Sequence, residues 1–224
     1  MLVALCVVGW WLATDGPPTP GDDEAALGID VSHHQGPIDW SAVETAGVRF
    51  AWMKATEGGD WQDPRFAANW AAAGGTGVLR GAYHFFTFCT PGLEQARNFI
   101  AHVPREAGTL PPAIDLEFAG NCSQTPGRGE LREELDAFIE AVALHYGRDP
   151  VLYVTPTSYW TYVAGAGLGL DLWRRSIAEP PRWPVWQPYT VWQYADDGTV
   201  AGITGDVDLN VFAGGRAELE AWVE

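Results

Sequence analysis

Lysine occurs once in the chain, at position 54. Lys and Arg together number 13 against 29 Asp and Glu, which gives a formal net charge of −16. A chain so short of cations has no general electrostatic pull toward nucleic acid or an anionic membrane surface. Cysteine is also scarce. Three residues are too few to staple a miniprotein, and none has the CxxC spacing of a zinc site. No GxGxxG or GxxxxGK[ST] run stands at a strand–helix turn, so the usual phosphate cradles are missing. Internal repeats and low-complexity stretches are absent too. What remains is 224 residues, 47% hydrophobic and 19% charged, with 12 Trp. That is a globular composition, long enough for one domain with a substantial core.

The first segment stands apart. Met1–Thr14 reads MLVALCVVGWWLAT and carries no charge. It falls short of the ~20 residues that span a bilayer and matches the apolar core of a secretory signal. No basic residue precedes it and no small-x-small cleavage site follows, so a buried N-terminal helix is the plain alternative. Asp15–Glu24, DGPPTPGDDE, reads as an extended, solvated linker. The chain therefore divides into a signal-like segment with its linker, 1–24, and a single domain, 25–224. An exported protein is expected, with membrane attachment only through an uncleaved leader.

Within the domain, short apolar runs alternate with helical patterns. Strands are predicted near Leu27–Val31, Val48–Lys54, Val78–Phe86, Ala113–Phe118, Val151–Val154 and Val191–Tyr194. Helices are predicted over Trp40–Ala46, Asp63–Ala73, Leu93–Ala101 and Glu130–Tyr146. The last has the clearest stripe, through Leu131, Leu135, Phe138, Ile139 and Val142, and Gly147 stops it. Such alternation implies an α/β fold with a mainly parallel sheet, either a closed barrel or an open doubly wound sheet. The last third lacks a long helix, so a barrel short of its late helices would fit.

The chemistry lies in acids at strand ends. In Ala113-Ile114-Asp115-Leu116-Glu117-Phe118 the two acids are two residues apart and share one face. Like charge beside an apolar layer, with desolvation added, raises at least one pKa, as a general acid needs. A solvated strand face, or acids held by Arg, would give the same pattern. Two further sites weigh against that plain reading. Asp30 ends the first strand in GIDVS, and Asp208 lies in GDVDLN near the end of the chain. Carboxyl ends of parallel strands gather at one face, so Asp30, Asp115, Glu117 and Asp208 can converge there. Such a cluster suits a catalytic cleft that uses carboxylates as acid, base and charge stabilisers, and less well a hard metal ion. Asp206 is expected to point away. The adjacent His33 and His34 face opposite ways on extended chain and do not suit one metal.

With those residues in view, the chain resembles the glycoside hydrolase family 25 lysozymes, the N-acetylmuramidases. The likeness runs from about Leu27 to Phe212. It rests on GIDVSHHQGPIDW, FAWMKATEG, DPRF, GAYHFF, LPPAIDLEF, VLYVTP and VWQYADDGTVAGITGDVDLNVF in that order. The resemblance implies a TIM-like (β/α)5(β)3 barrel and cleavage of the β-1,4 bond between N-acetylmuramic acid and N-acetylglucosamine in bacterial peptidoglycan. It implies Glu117 as general acid/base, Asp115 as the partner that orients the participating N-acetyl group, and Asp30 and Asp208 as further cleft acids. Tyr83, Tyr153, Trp192 and Gln193 match positions that line the sugar cleft. Glu57 matches a motif acid that Lys54 would pair with in a supporting role. Trp61, Trp70, Trp173, Trp183 and Trp186 are expected in packing. Cys89 and Cys122 each follow a strand of the barrel by a few residues, and a disulfide between them is expected. LWRRSIA, 172–178, departs from the family in carrying two Arg. No cofactor, no metal and a monomer are implied. A non-catalytic glycan-binding module and a metal-dependent hydrolase or deacetylase are the competing classes.

Overall fold

The computed structural model describes residues 19–22, 24–177, 179–182 and 188–223. The signal-like run Met1–Thr14, together with Trp183 and Trp186, lies outside them. Of the linker, residues 19–22 form an exposed turn in which Thr19 N–H bonds the Asp22 carboxylate, where an extended strand of chain was expected.

The domain is a closed barrel. Strands β1 (Ala25–Val31), β2 (Phe50–Glu57), β4 (Leu79–Phe85), β5 (Ala113–Leu116), β6 (Val151–Val154), β7 (Leu172–Arg175), β8 (Val191–Gly198) and β9 (Val207–Gly215) form its wall. A two-residue strand β3 (Trp61–Gln62) hooks back on β2. Pairing runs β1-β9-β8-β7-β6-β5-β4-β2, and β1 also pairs with β2, which closes the ring. From β1 through β2 and β4 to β8 the neighbours are parallel; β9 is antiparallel to both β8 and β1. Helices α1 (Trp40–Thr45), α2 (Phe66–Ala73), α3 (Gly92–His102) and α4 (Arg128–Tyr146) follow β1, β3, β4 and β5. After β6 the described residues hold a short helical stretch, Pro156–Val163, and among them no helix lies between β7, β8 and β9. This is the (β/α)5(β)3 arrangement, ended by a helix α5 (Arg216–Val223).

Strand alternation divides the core in two. Ile29, Val31, Ala51, Met53, Ile114, Leu116, Leu152 and Val154 face outward under the helices. Phe50, Trp52, Val151, Tyr153, Trp173, Val191 and Phe212 fill the inside. Large inner rings need small cross-strand partners. Gly28 pairs with Phe50, and a Cβ there would lie 2.3 Å from its ring; Gly81 pairs with Trp52, where the gap would be 2.6 Å. Trp52 stacks on Trp173 at 4.8 Å and donates to Pro111 O at 3.0 Å. This aromatic plug fills the barrel axis beneath its carboxyl end.

Several predicted boundaries shift, for local reasons. The helix expected from Asp63 starts at Phe66, because the Asp63 carboxylate accepts Arg65 N–H at 2.8 Å and holds the preceding turn. β9 and α5 were not among the predicted elements. Cys89 and Cys122 form a disulfide that joins the β4–α3 and β5–α4 loops.

Candidate active site

At the carboxyl end of the barrel lies a cavity of about 90 Å³ lined by Asp30, Tyr83, Asp115, Glu117, Tyr153, Trp173, Gln193 and Asp208. A groove of about 220 Å³ continues from it past Ser32, His34, Gln35, Lys54 and Phe85. Seven strands contribute side chains to the cavity, so the four acids converge from the beginning, middle and end of the domain. A larger hollow of about 560 Å³ lies at the opposite end, between the loop before β5 and the end of α4. It holds no carboxyl cluster.

Each acid is placed differently. Asp30 Oδ2 accepts Gln193 Nε2 at 3.0 Å and Asn210 Nδ2 at 2.7 Å. Gln193 Oε1 accepts Tyr153 OH at 2.9 Å, and Asn210 Oδ1 accepts Trp173 Nε1 at 2.7 Å. A continuous chain of donors thus fixes Asp30. Asp115 lies on β5, and its buried Oδ1 has no hydrogen-bond partner among the described residues. A buried acceptor left open at a cavity wall is poised for a ligand donor. Glu117 follows β5 directly. Its backbone carbonyl accepts Asn121 Nδ2 at 2.9 Å, and Asn121 also bonds Phe86 O and Phe88 N–H, beside the Cys122 end of the disulfide.

Burial dominates the electrostatics. It pushes Glu117 up to about 7, Asp30's charge adds to the rise, and Arg175 and Lys54 oppose it. The cause is thus chiefly desolvation and not the Asp115 charge that the sequence suggested. Asp208 is pushed to about 9 by burial first and by the neighbouring Asp30 charge second. Asp30 is raised by burial, against the pull of its Asn210 and Gln193 donors. Asp115 is raised well above the usual range by burial and then by Glu117's charge. Burial also keeps the Tyr83 and Tyr153 phenols neutral. At neutral pH the cluster therefore retains protons instead of carrying a full set of negative charges.

Tyr83, Tyr153 and Gln193, predicted to line the cleft, meet here, and Trp192 does not. Trp192 is turned away. Its neighbour Gln193 points inward, so strand alternation sends Trp192 outward, against Tyr189, Tyr194 and Val211, with its Nε1 donating to Ser176 O at 2.6 Å. Trp173, expected in packing, takes the place on the cavity wall. Glu57 lies outside the lining residues and pairs with Lys54 at 2.7 Å. Asn210 and Trp173 were missed as site residues, although Asn210 is two positions beyond Asp208 on one strand face. Asp206 is exposed and offers only its carbonyl, to Gln35. His33 turns to the buried Asp63 at 2.9 Å while His34 lines the groove. No group of three His, Cys, Asp or Glu side chains among the described residues is arranged to hold a metal ion.

The sequence profile of Glycosyl hydrolases family 25 matches residues 29–203. Lysozyme M1 of Streptomyces globisporus is 36% identical over 223 residues, covering 90% of this chain and 72% of that protein. The structure of a family 25 glycosyl hydrolase from Bacillus anthracis superposes with a TM-score of 0.86 at 36% identity, covering 95% of this chain and 100% of that one. A bacterial lysozyme from Streptomyces coelicolor superposes with a TM-score of 0.82 at 35% identity, over 90% of this chain and 98% of that one.

Proposed function

The chain belongs to glycosyl hydrolase family 25 and is a glycoside hydrolase of the lysozyme type, and from that premise we propose that it cleaves the β-1,4 bond between N-acetylmuramic acid and N-acetylglucosamine with Glu117 as general acid. The observation that carries this reading is the gathering of Asp30, Asp115, Glu117 and Asp208 around one cavity at the open end of the barrel.

Glu117 holds its proton up to about pH 7. It gives that proton to the glycosidic oxygen as the C1–O bond breaks. The acetamido oxygen of the muramoyl residue closes on C1, and Asp115 Oδ1, which has no partner among the described residues, accepts the acetamido N–H and orients the group. Water then attacks C1 as the bond from C1 to the acetamido oxygen breaks and the acetamido group reforms; Glu117, now a carboxylate, takes that water's proton, and the first configuration is restored. Asp30 keeps a negative charge near the developing oxocarbenium, held by Gln193 and Asn210. Asp208 carries a proton beside it and serves as a hydrogen-bond donor at neutral pH. Tyr83, Tyr153 and Trp173 shape the wall that receives the sugar. The protein acts as a monomer on bacterial peptidoglycan outside the cytoplasm, exported by its apolar N-terminal segment.

Digestion of purified peptidoglycan tests the reading. Muramic acid at the new reducing ends is the expected product; glucosamine ends would overturn it. Replacing Glu117→Gln is expected to lower kcat by about 10²–10⁴-fold while glycan binding persists. A variant with near-normal turnover would remove Glu117 from the role.

A further inference from the structure

Arg175 brings an accessible positive charge to a cleft built from acids. It is the last residue of β7, two positions beyond Trp173, so both side chains leave the strand on the same face. Trp173 lines the cavity; Arg175 lies outside its lining residues, one inward-facing position farther along β7 at the carboxyl end of the strand. Its partner across β8 is Gln193, the residue that holds Asp30. Arg175 Nη2 bonds the Asp196 carboxylate on β8. Side-chain exposure is 34% for Arg175 and 47% for Asp196, so the pair lies at the rim within reach of solvent.

A second cation, Lys54, also acts on Glu117 and lines the groove, but its ammonium is already engaged. Its Nζ is bound by Glu57 at 2.7 Å and lies over the rings of Trp61 and Phe85 at 5.0 and 4.7 Å, with the side chain 13% exposed. Arg175 is the open one of the two. Asp196 engages one terminal nitrogen, and a planar guanidinium has further N–H groups with which to meet a second carboxylate.

We propose that Arg175, oriented by Asp196, is a specificity-determining residue that binds a carboxylate on the muramoyl arm of the glycan. The proposal rests on the muramidase reading above. N-acetylglucosamine is neutral, whereas the muramoyl residue bears a lactyl ether ending in a carboxyl group, either free or joined to a peptide with carboxylates of its own. An anionic arm approaching a chain of charge −16 meets repulsion unless a cation receives it. Arg175 supplies that cation at the rim, where a substituent on the sugar would project.

Three substrates separate the alternatives: intact glycan strands with acidic stem peptides, amidase-stripped strands with free lactyl carboxylates, and stripped strands whose carboxylates have been amidated. The quantity read is the ratio of kcat/KM between carboxylate-bearing and amidated strands within one enzyme, which cancels differences in folded fraction and in Glu117 protonation. Wild type is expected to favour carboxylate-bearing strands by about tenfold, and Arg175→Gln to lose that preference. Arg175→Lys, which keeps the charge without the fork, should retain part of it. Preference on stripped strands alone assigns the lactyl carboxylate; preference on intact strands alone assigns the peptide. An unchanged ratio in Arg175→Gln, or no preference in wild type, overturns the proposal. Failure of wild type to release muramic acid ends from any strand would overturn the muramidase reading instead, and this one with it.

Discussion

Glu117 carries the pH dependence of the reaction. Burial lifts its carboxyl to about 7, so it is protonated below that value and loses its proton as pH rises through it. A general acid must be protonated to act, so kcat/KM should fall about tenfold per unit above about pH 7. Removing the Arg175 charge takes away an influence that lowers this pKa, and Arg175→Gln should move the alkaline limb upward. A profile flat from pH 6 to 9 would contradict both statements. The same site shows where single residues are legible in sequence. Asp115 and Glu117 share a face because alternation along a strand is fixed by backbone geometry. Trp192 fails by the same rule: it cannot line a cavity that its neighbour Gln193 already lines. Arg174 and Arg175 divide likewise. Arg174 lies on the outer side, buried and over the Tyr159 ring at 5.3 Å, and Arg175 on the inner side.

At the scale of elements, the parallel strands other than β7 and the longest helix follow from apolar pattern alone. Val151–Val154 matches its predicted bounds, and α4 differs from prediction only at its start. β9 escaped because Asp208 and Asn210 put polar side chains on its inner face, where a core strand would be apolar; function erased the signal. α5 is only eight residues long and gives a weak periodicity. Packing between helices depends on something periodicity does not report. Gly92 opens α3 directly against the backbone of α4, where an added Cβ would lie 1.8 Å from the Glu134 carbonyl oxygen. Its N–H bonds the Glu134 carboxylate at 2.6 Å. Gly92→Ala must push α3 away from α4 at a cost of about 1–3 kcal/mol. A fall in Tm of about 2–10 °C is expected for a domain of this size. A melting curve that coincides with wild type would show that the two helices separate without loss.

The molecule as a whole stores protons in its cleft, and that sets how its stability varies with pH. In the unfolded chain Asp208 releases its proton near 3.8, but folded it retains it to about 9; Glu117 moves from 4.5 to about 7. Between those limits the folded state binds more protons than the unfolded state, so stability falls as pH rises through the window. The buried His84 works the other way. Desolvation lowers it from 6.5 to about 3, and it penalises the folded state only at pH below 6.5. Above 6.5 the carboxyl effect therefore acts unopposed by His84, and the net charge of −16 adds self-repulsion in the same direction. Wild type should melt at progressively lower temperature from pH 6.5 to 9. Asp208→Asn keeps the shape and removes the proton linkage. It should raise Tm relative to wild type at pH 8, converge with it near pH 4, and lose activity. That outcome would mark the acid cluster as a site whose catalytic arrangement costs stability. If the two melting curves instead keep a constant separation from pH 4 to 9, Asp208 holds no extra proton in the folded state, and its place as a donor beside Asp30 falls with it.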